Sequence, residues 1–224
     1  MPLYLTGNTL TIQDVLAVAR HGKKVSLAEC AREQLLRSYE WVVQACEKDQ
    51  AIYGINTGFG SLARLRIPPE KSSTLSWNLI RSHAAGLGPI ASAECTRAMM
   101  LLRANALSKG VSGCRPSIVE MLLLFLNEGL HPVIPMQGSC GSSGDLAPLA
   151  HLGLVLIGDP LGEAIINGQR MPAPQALTQI NCPALKLEAK DGLAITNGAQ
   201  LSTALATLIC ADTRILIKSA ELAA

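Results

Sequence analysis

The stretch Gly138-Ser139-Cys140-Gly141-Ser142-Ser143-Gly144-Asp145 runs straight into the apolar Leu146-Ala147-Pro148-Leu149-Ala150. Loose, glycine-rich backbone therefore abuts the start of a helix, and three chemistries compete for it. Ser143 can cap that helix while Asp145 sits at the positive end of its dipole. Backbone amides at a helix start can hold an anion. However, neither Gly-x-x-x-x-Gly-Lys nor Gly-x-Gly-x-x-Gly is present, so nucleotide binding has no support. Gly-x-Ser-x-Gly, the serine-hydrolase elbow, is missing as well. The third chemistry is backbone self-cyclisation, which needs a small residue, a serine and a glycine in a tight bend. Gly144 has no Cβ, so its amide nitrogen can close on the carbonyl of residue 142. Ser143 can then lose its hydroxyl as a second water and become a methylidene. The product would be an electron-poor ring at a helix end that favours negative charge. Spacing alone leaves cap and ring both open, because Ser-Ser-Gly is common in loops.

The elements that must position this loop can be read from periodicity and punctuation. Leu3–Thr11 reads as a short strand and turn. Ser26-Leu27-Ala28-Glu29 has the spacing of a capping box, which starts a helix at Ser26. Leu27, Ala31, Leu35, Tyr39, Val42 and Cys46 then recur at helical spacing. Ile52–Leu62, with Gly54, Gly58 and Gly60, is too punctuated for a regular element. Helices are expected over Ser73–Ala84, Ala93–Ser108, Pro116 to Gly129 and Leu146–Ile157, with proline and glycine at the positions that start and stop them. Asn167-Gly168 within Glu163–Met171 is a two-residue hairpin turn. Leu201, Leu205, Leu208, Ile215, Ser219 and Leu222 mark a long last helix.

Bulk composition excludes several classes. The chain has 224 residues, 49% hydrophobic and 16% charged, with a formal net charge of +2. That describes a folded chain with a large aliphatic core and no basic stripe for nucleic acid or a membrane surface. The runs Met121–Leu126 and Leu152–Ile157 are too short to span a bilayer, and the N-terminus lacks the layout of a signal peptide. The 7 cysteines include no Cys-x-x-Cys pair, and His21, His83, His131 and His151 form no His-x-x-x-His pair. Reduced thiols in a cytoplasmic protein with no metal site are expected. The last helix has no stop signal, and Ile209, Ile215, Leu216 and Ile217 cannot share one face. Such a helix requires a cover, either more chain or a partner subunit.

The Ser142-Ser143-Gly144 stretch closely resembles the prosthetic-group signature of the histidine/phenylalanine ammonia-lyase family. Four further segments follow the same family in the same order. Tyr53-Gly54-Ile55-Asn56-Thr57-Gly58-Phe59-Gly60 is similar to its tyrosine loop. Ser82-His83-Ala84-Ala85-Gly86-Leu87-Gly88 is similar to the substrate-side segment of histidine ammonia-lyases. Asp191-Gly192-Leu193-Ala194-Ile195-Thr196-Asn197-Gly198 is similar to its asparagine loop, and Asn105–Gly113 matches another family block.

The resemblance implies a mainly α fold with a few short strands and hairpins: an N-terminal domain over 1–192, and the start of a central helical bundle over 193–224. It implies the prosthetic group 4-methylidene-imidazol-5-one (MIO), formed autocatalytically from Ser142, Ser143 and Gly144, with no metal and no nucleotide. Tyr53 would remove a proton from the substrate Cβ. Asn197 would hydrogen-bond near MIO and substrate, His83 would face the aromatic end, and Asp145 would support maturation. An ordinary tyrosine, with a pKa of about 10, is a poor base at neutral pH, so the role requires a lowered pKa. Outside the resemblance, Tyr53 reads as a packed turn residue, Asn197 as a turn residue, and Arg115 and His151 as structural. Two departures stand out. Residue 142 is Ser where the family has Ala, and Cys140 stands where Val is usual. The chain is also about half the family's length. The expected protein is thus the N-terminal subunit of a split lyase, acting on L-histidine or another aromatic L-amino acid and inactive without a complementary C-terminal chain in a tetramer-like core. A fragment of a longer lyase or aminomutase, and a non-catalytic scaffold or regulatory homologue, are the alternatives.

Overall fold

The computed structural model describes residues 1–47, 51–58, 60, 63–142 and 144–224. Strand β1 (Leu3–Leu5) pairs in parallel with β2 (Val25–Leu27), and α1 (Ile12–Ala19) bridges them. The sequence reading missed α1, which begins with a capping box of its own. Thr11 Oγ1 accepts from the Asp14 amide over 3.2 Å, and Asp14 Oδ2 accepts from the Thr11 amide over 3.2 Å. The expected helix start at Ser26 is corrected: Ser26 lies mid-strand opposite Tyr4, and α2 (Glu29–Glu47) begins three residues later. The Ala28 amide donates to Leu5 O over 3.0 Å. Pairing with β1 thus takes the backbone donors that a cap at Ser26 would have used. From Ala31 onward the expected helical face holds, with Ala31, Leu35 and Val42 buried.

Helices α3 (Ser72–His83, after a 3-10 turn at Pro69–Lys71), α4 (Ala93–Leu107), α5 (Pro116–Glu128) and α6 (Leu146–Leu156) fall within a residue or two of expectation. Pro116 opens α5, and Gly129 closes it at φ 70 in the left-handed region. Strand β3 (Leu87–Ile90) pairs antiparallel with β5 (Pro135–Gln137), which the sequence did not announce. Strand β4 (His131–Pro132) joins the hairpin of β6 (Glu163–Ile166) and β7 (Gln169–Pro172), in the order β4-β6-β7. The hairpin turns on Asn167 and Gly168, both at positive φ as a type I′ turn requires. Helix α7 (Ala173–Gln179) follows, then the short α8 (Asp191–Thr196) and the long α9 (Gln200–Ala223).

The core lies where α4 packs against α1, α5 and α9 and where α6 packs against α3 and α8. Met99, Met100, Leu101, Ile118, Leu122, Phe125, Leu149 and Leu152 are fully buried there. A helix that is apolar all round belongs inside, and α6, apolar at every position but His151, buries nine of its 11 residues. Helix α9 packs on α4 through Leu201, Ala204, Leu208 and Ala211. Its packed half ends at Asp212, whose carboxylate takes both terminal nitrogens of Arg20 at 2.6 and 2.8 Å. Beyond that clamp, Ile215, Leu216 and Leu222 are 62, 69 and 89% exposed. By length and composition, the Asp191–Ala223 stretch is long and apolar enough to cross a membrane. This stretch is not one of the short runs named above, and core helices of soluble bundles pass the same test.

Candidate functional site

Three segments converge on the loop that precedes α6. The first is the turn from α3 into β3. His151 on α6 accepts the Gly86 amide at Nε2 over 3.0 Å. Burial lowers the His151 pKa, and an accepting Nε2 is a neutral imidazole's role. His151 thus holds the turn from α3 into β3 onto α6. A Cβ on Gly138 would lie 3.1 Å from Gly86 Cα, so these backbones nearly touch.

The second segment is the loop itself. Gly144 has φ +129, and a Cβ there would lie 2.9 Å from the Gly198 carbonyl oxygen and 3.1 Å from Leu146 Cδ1. Only glycine fits on both counts. Next to it, the Asp145 amide donates to Gly198 O over 2.6 Å. Asp145 begins α6, but its side chain does not cap it. The buried carboxylate instead accepts from Ser139 Oγ at 3.0 Å, Ser202 N at 2.8 Å and Ser202 Oγ at 2.9 Å. Ser202 belongs to the first turn of α9, whose own start lacks a side-chain cap. Asp145 therefore caps α9 from outside, where the helix dipole favours an anion. Ser142 and Cys140 are exposed. Ser143 lies outside the described residues, as do Phe59, Ser61 and Leu62 of the tyrosine stretch.

The third segment is the turn between α8 and α9. Asn197 ends α8, donating its amide to Leu193 O over 2.9 Å while its side chain faces solvent. Gly198 follows directly and holds Asp145. His83, half-buried at the end of α3, has Nδ1 2.9 Å from Leu79 O and 3.0 Å from Ser82 Oγ, which itself donates to Leu79 O. A carbonyl only accepts, so Nδ1 carries a hydrogen toward Leu79 O. Tyr53 stands on a turn of its own, 59% exposed. Ile52 and Ile55 seat that turn against Val42, Ala45 and Cys46 of α2. The buried Asn56 accepts the Ile52 amide over 2.7 Å.

Gly144, Asp145 and the Asn197-Gly198 turn are thus in direct contact. His83 approaches through the turn that carries Gly86, and Tyr53 stands on a separate element. Sequence reasoning missed Ser139, Ser202 and Gly86 as partners, and Ser202 is 57 residues from Asp145. Arg115, read as a helix anchor, joins α5 to α8. Its guanidinium donates to Asp191 at 2.6 Å, to Glu188 at 2.8 Å, and to the Lys186 carbonyl. Among the described residues no group of His, Cys, Asp and Glu side chains could hold a metal ion, and all seven cysteines are free.

A mainly helical domain whose glycine-bearing loop is locked between two helix ends defines the class. Its fold is that of the ammonia-lyases and aminomutases. Residues 10–224 match the model of the aromatic amino acid lyase family, and the chain belongs to that family. It is 48% identical over 218 residues to the histidine ammonia-lyase of Symbiobacterium thermophilum, covering 97% of this chain and 43% of that protein. The ergothioneine-degrading ergothionase of Treponema denticola superposes with a TM-score of 0.93 at 30% identity, over 97% of this chain and 43% of that one. Histidine ammonia-lyase from Trypanosoma cruzi does so with a TM-score of 0.85 at 35% identity, over 92% and 40%. The chain spans less than half the length of the curated relatives it matches.

Proposed function

We propose that this chain is the N-terminal part of an MIO-dependent, histidine-type ammonia-lyase that becomes active when a second chain supplies the remaining half. The Gly144–Gly198 contact carries the reading: a backbone position that excludes any side chain, held in place by a buried carboxylate. That fits a loop whose Gly144 nitrogen must reach the carbonyl of residue 142. MIO, formed from Ser142, Ser143 and Gly144, would supply an electrophile toward the substrate. Ser142 carries its side chain on the ring without taking part in closure. Asp145 holds the loop on the α9 terminus, and the exposed Asn197 offers an amide beside it. Tyr53 takes the proton from the substrate Cβ. His83 meets the aromatic end, where its second ring nitrogen, Nε2, can pair with a ring nitrogen of an imidazole side chain. Residues 193–224 would begin the central bundle, with the exposed half of α9 covered by the complementary chain in a cytoplasmic hetero-oligomer. The 48% identity to a histidine ammonia-lyase supports this choice of substrate.

An aminomutase outcome is the second reading, because tyrosine aminomutase from Streptomyces globisporus shares the fold with a TM-score of 0.87 at 36% identity. One experiment tests both. The chain is co-expressed with the C-terminal half of a full-length relative, and the complex is assayed by intact mass and by products from L-histidine. Loss of two waters in the Ser142–Gly144 peptide, with urocanate and ammonia formed, is expected. A β-amino acid product would move the assignment to the aminomutase. An unmodified mass in a well-assembled complex would overturn catalysis and favour a scaffold role.

A further inference from the structure

Arg103 on α4 is 4% exposed, and its partners among the described residues are a side-chain amide oxygen and a backbone carbonyl, with no carboxylate among them. Its Nη1 donates to Gln200 Oε1 over 3.0 Å, its Nη2 donates to the Ala194 carbonyl, and its Nε has no hydrogen-bond partner. One guanidinium thus grips the last turn of α8 and the first turn of α9, the two ends that flank Asn197 and Gly198. Gly198 sits against it so closely that a Cβ would collide with Nη1. The carbonyl of the same Gly198 holds the Asp145 amide and meets Gly144. A single residue therefore separates a buried, unpaired cation from the loop. Burial lowers the Arg103 pKa to about 10, so it stays charged at neutral pH. Leaving a guanidinium buried without an acid is costly, and its field is screened least on the buried side of the loop, where Gly198 meets Asp145 and Gly144.

We propose that Arg103 is a positioning residue for ring closure at Ser142–Gly144, and that its unpaired charge favours the step. In that step the Gly144 nitrogen bonds to the Ser142 carbonyl carbon. The carbonyl π pair moves onto oxygen, which takes the Gly144 amide proton. The resulting hydroxyl then leaves with the amide proton of residue 143 as water, creating a C=N bond. Negative charge develops on the Ser142 oxygen, and the clamp on both helix ends keeps Gly198 in place behind Gly144. This inference rests on the proposed lyase reading.

The test follows the fraction of full-length chain that has lost two waters over time, alongside its melting temperature. Gln200→Glu keeps an acceptor for Nη1 but sets a carboxylate against the guanidinium. A purely structural clamp would be undisturbed or strengthened by it. A charge that serves closure would be neutralised, and maturation is expected to slow at least about tenfold with no loss of melting temperature. Arg103→Lys, which keeps the charge but cannot fork to both acceptors, should also slow it. Gln200→Leu removes one grip and stands in if the lysine variant does not fold. Wild-type maturation rates in Gln200→Glu would overturn the charge role, and wild-type rates in Arg103→Lys or Gln200→Leu would overturn positioning. If wild-type chain in a well-assembled complex never loses water, the lyase reading itself fails, an outcome distinct from both.

Discussion

The Asp145 amide and the Gly198 carbonyl, 2.6 Å apart, join the start of α6 to the turn between α8 and α9. This bond and the Asp145 carboxylate on the first turn of α9 make one rigid block of loop, turn and two helix ends. Movement of any part would displace Gly144, which already packs as tightly as a glycine can.

Gly144→Ala tests that tightness. The new methyl would sit 2.9 Å from a backbone oxygen at a φ that alanine avoids, and backbone cannot step aside as a flexible side chain would. The cost is about 1–3 kcal/mol for the strained conformation alone. The variant should fold with a lower melting temperature and keep the unmodified mass at Ser142–Gly144. Full loss of two waters in it would refute the close-packing account.

Asp145→Asn replaces an acceptor-only group with one that must also present an amide hydrogen. Oδ1 takes both serine hydroxyls, which can turn to accept, and Oδ2 takes the Ser202 amide, so an asparagine can keep these contacts but loses the anion at the start of α9 and the charge-assisted bonds. That loss costs about 1–2 kcal/mol. At roughly 2–4 °C per kcal/mol for a chain of this size, calorimetry should record a drop of several degrees. Ser202→Ala, which removes one donor and leaves the backbone amide, should cost less than Asp145→Asn.

Much of this block could be read from local sequence, because local rules produce it. Pro116 and Gly129 bracket α5, and Asn167-Gly168 turns its hairpin, as residues that fix their own φ should. Ser26 misled because its cap spacing was real but β1, twenty residues upstream, claimed the same backbone. Thr11-x-x-Asp14 gives a weaker signal, because in it the shorter acid does the work usually given to Glu. The partnership of Asp145 with Ser202, and the place of Arg103 behind Gly198, depend on chain segments that meet only in three dimensions. Periodicity carries no trace of them.

His151 gives the fold a pH dependence whose sign can be stated. Burial depresses its folded pKa below 6.5, and its Nε2 accepts the Gly86 amide only when unprotonated. Below pH 6.5 the unfolded chain therefore binds a proton that the fold refuses. The stabilisation is complete above that value and is lost as pH falls toward the folded pKa. His151→Gln offers an oxygen acceptor that does not titrate. Melting temperatures measured from about pH 7.5 to about pH 5 should fall less steeply for this variant than for the wild type. Parallel slopes would rule out this histidine as a source.

Arg115 and Asp191 make the most consequential ion pair of the α5–α8 junction. Asp191 has no exposure, its Oδ1 finds no partner among the described residues, and its Oδ2 takes both the guanidinium and the Glu188 amide. Burial raises the Asp191 pKa, and the Arg115 charge works against that rise. Arg115→Met keeps the aliphatic stem and removes the charge, stranding a buried carboxylate at a cost of about 3–5 kcal/mol. At roughly 2–4 °C per kcal/mol, the melting temperature should fall by about 6 °C or more at neutral pH. The sign with pH is opposite to that of His151. Without Arg115 the folded pKa of Asp191 rises further above its unfolded value, so the fold gains on the unfolded chain as acid protonates the carboxyl. The deficit against wild type should therefore narrow as pH is lowered toward the carboxylate range. Adding Asp191→Asn should recover part of the loss, because the group left behind is then neutral. A deficit that is flat with pH and unrelieved by the second substitution would mean that Arg115 acts through its packing and not through its charge.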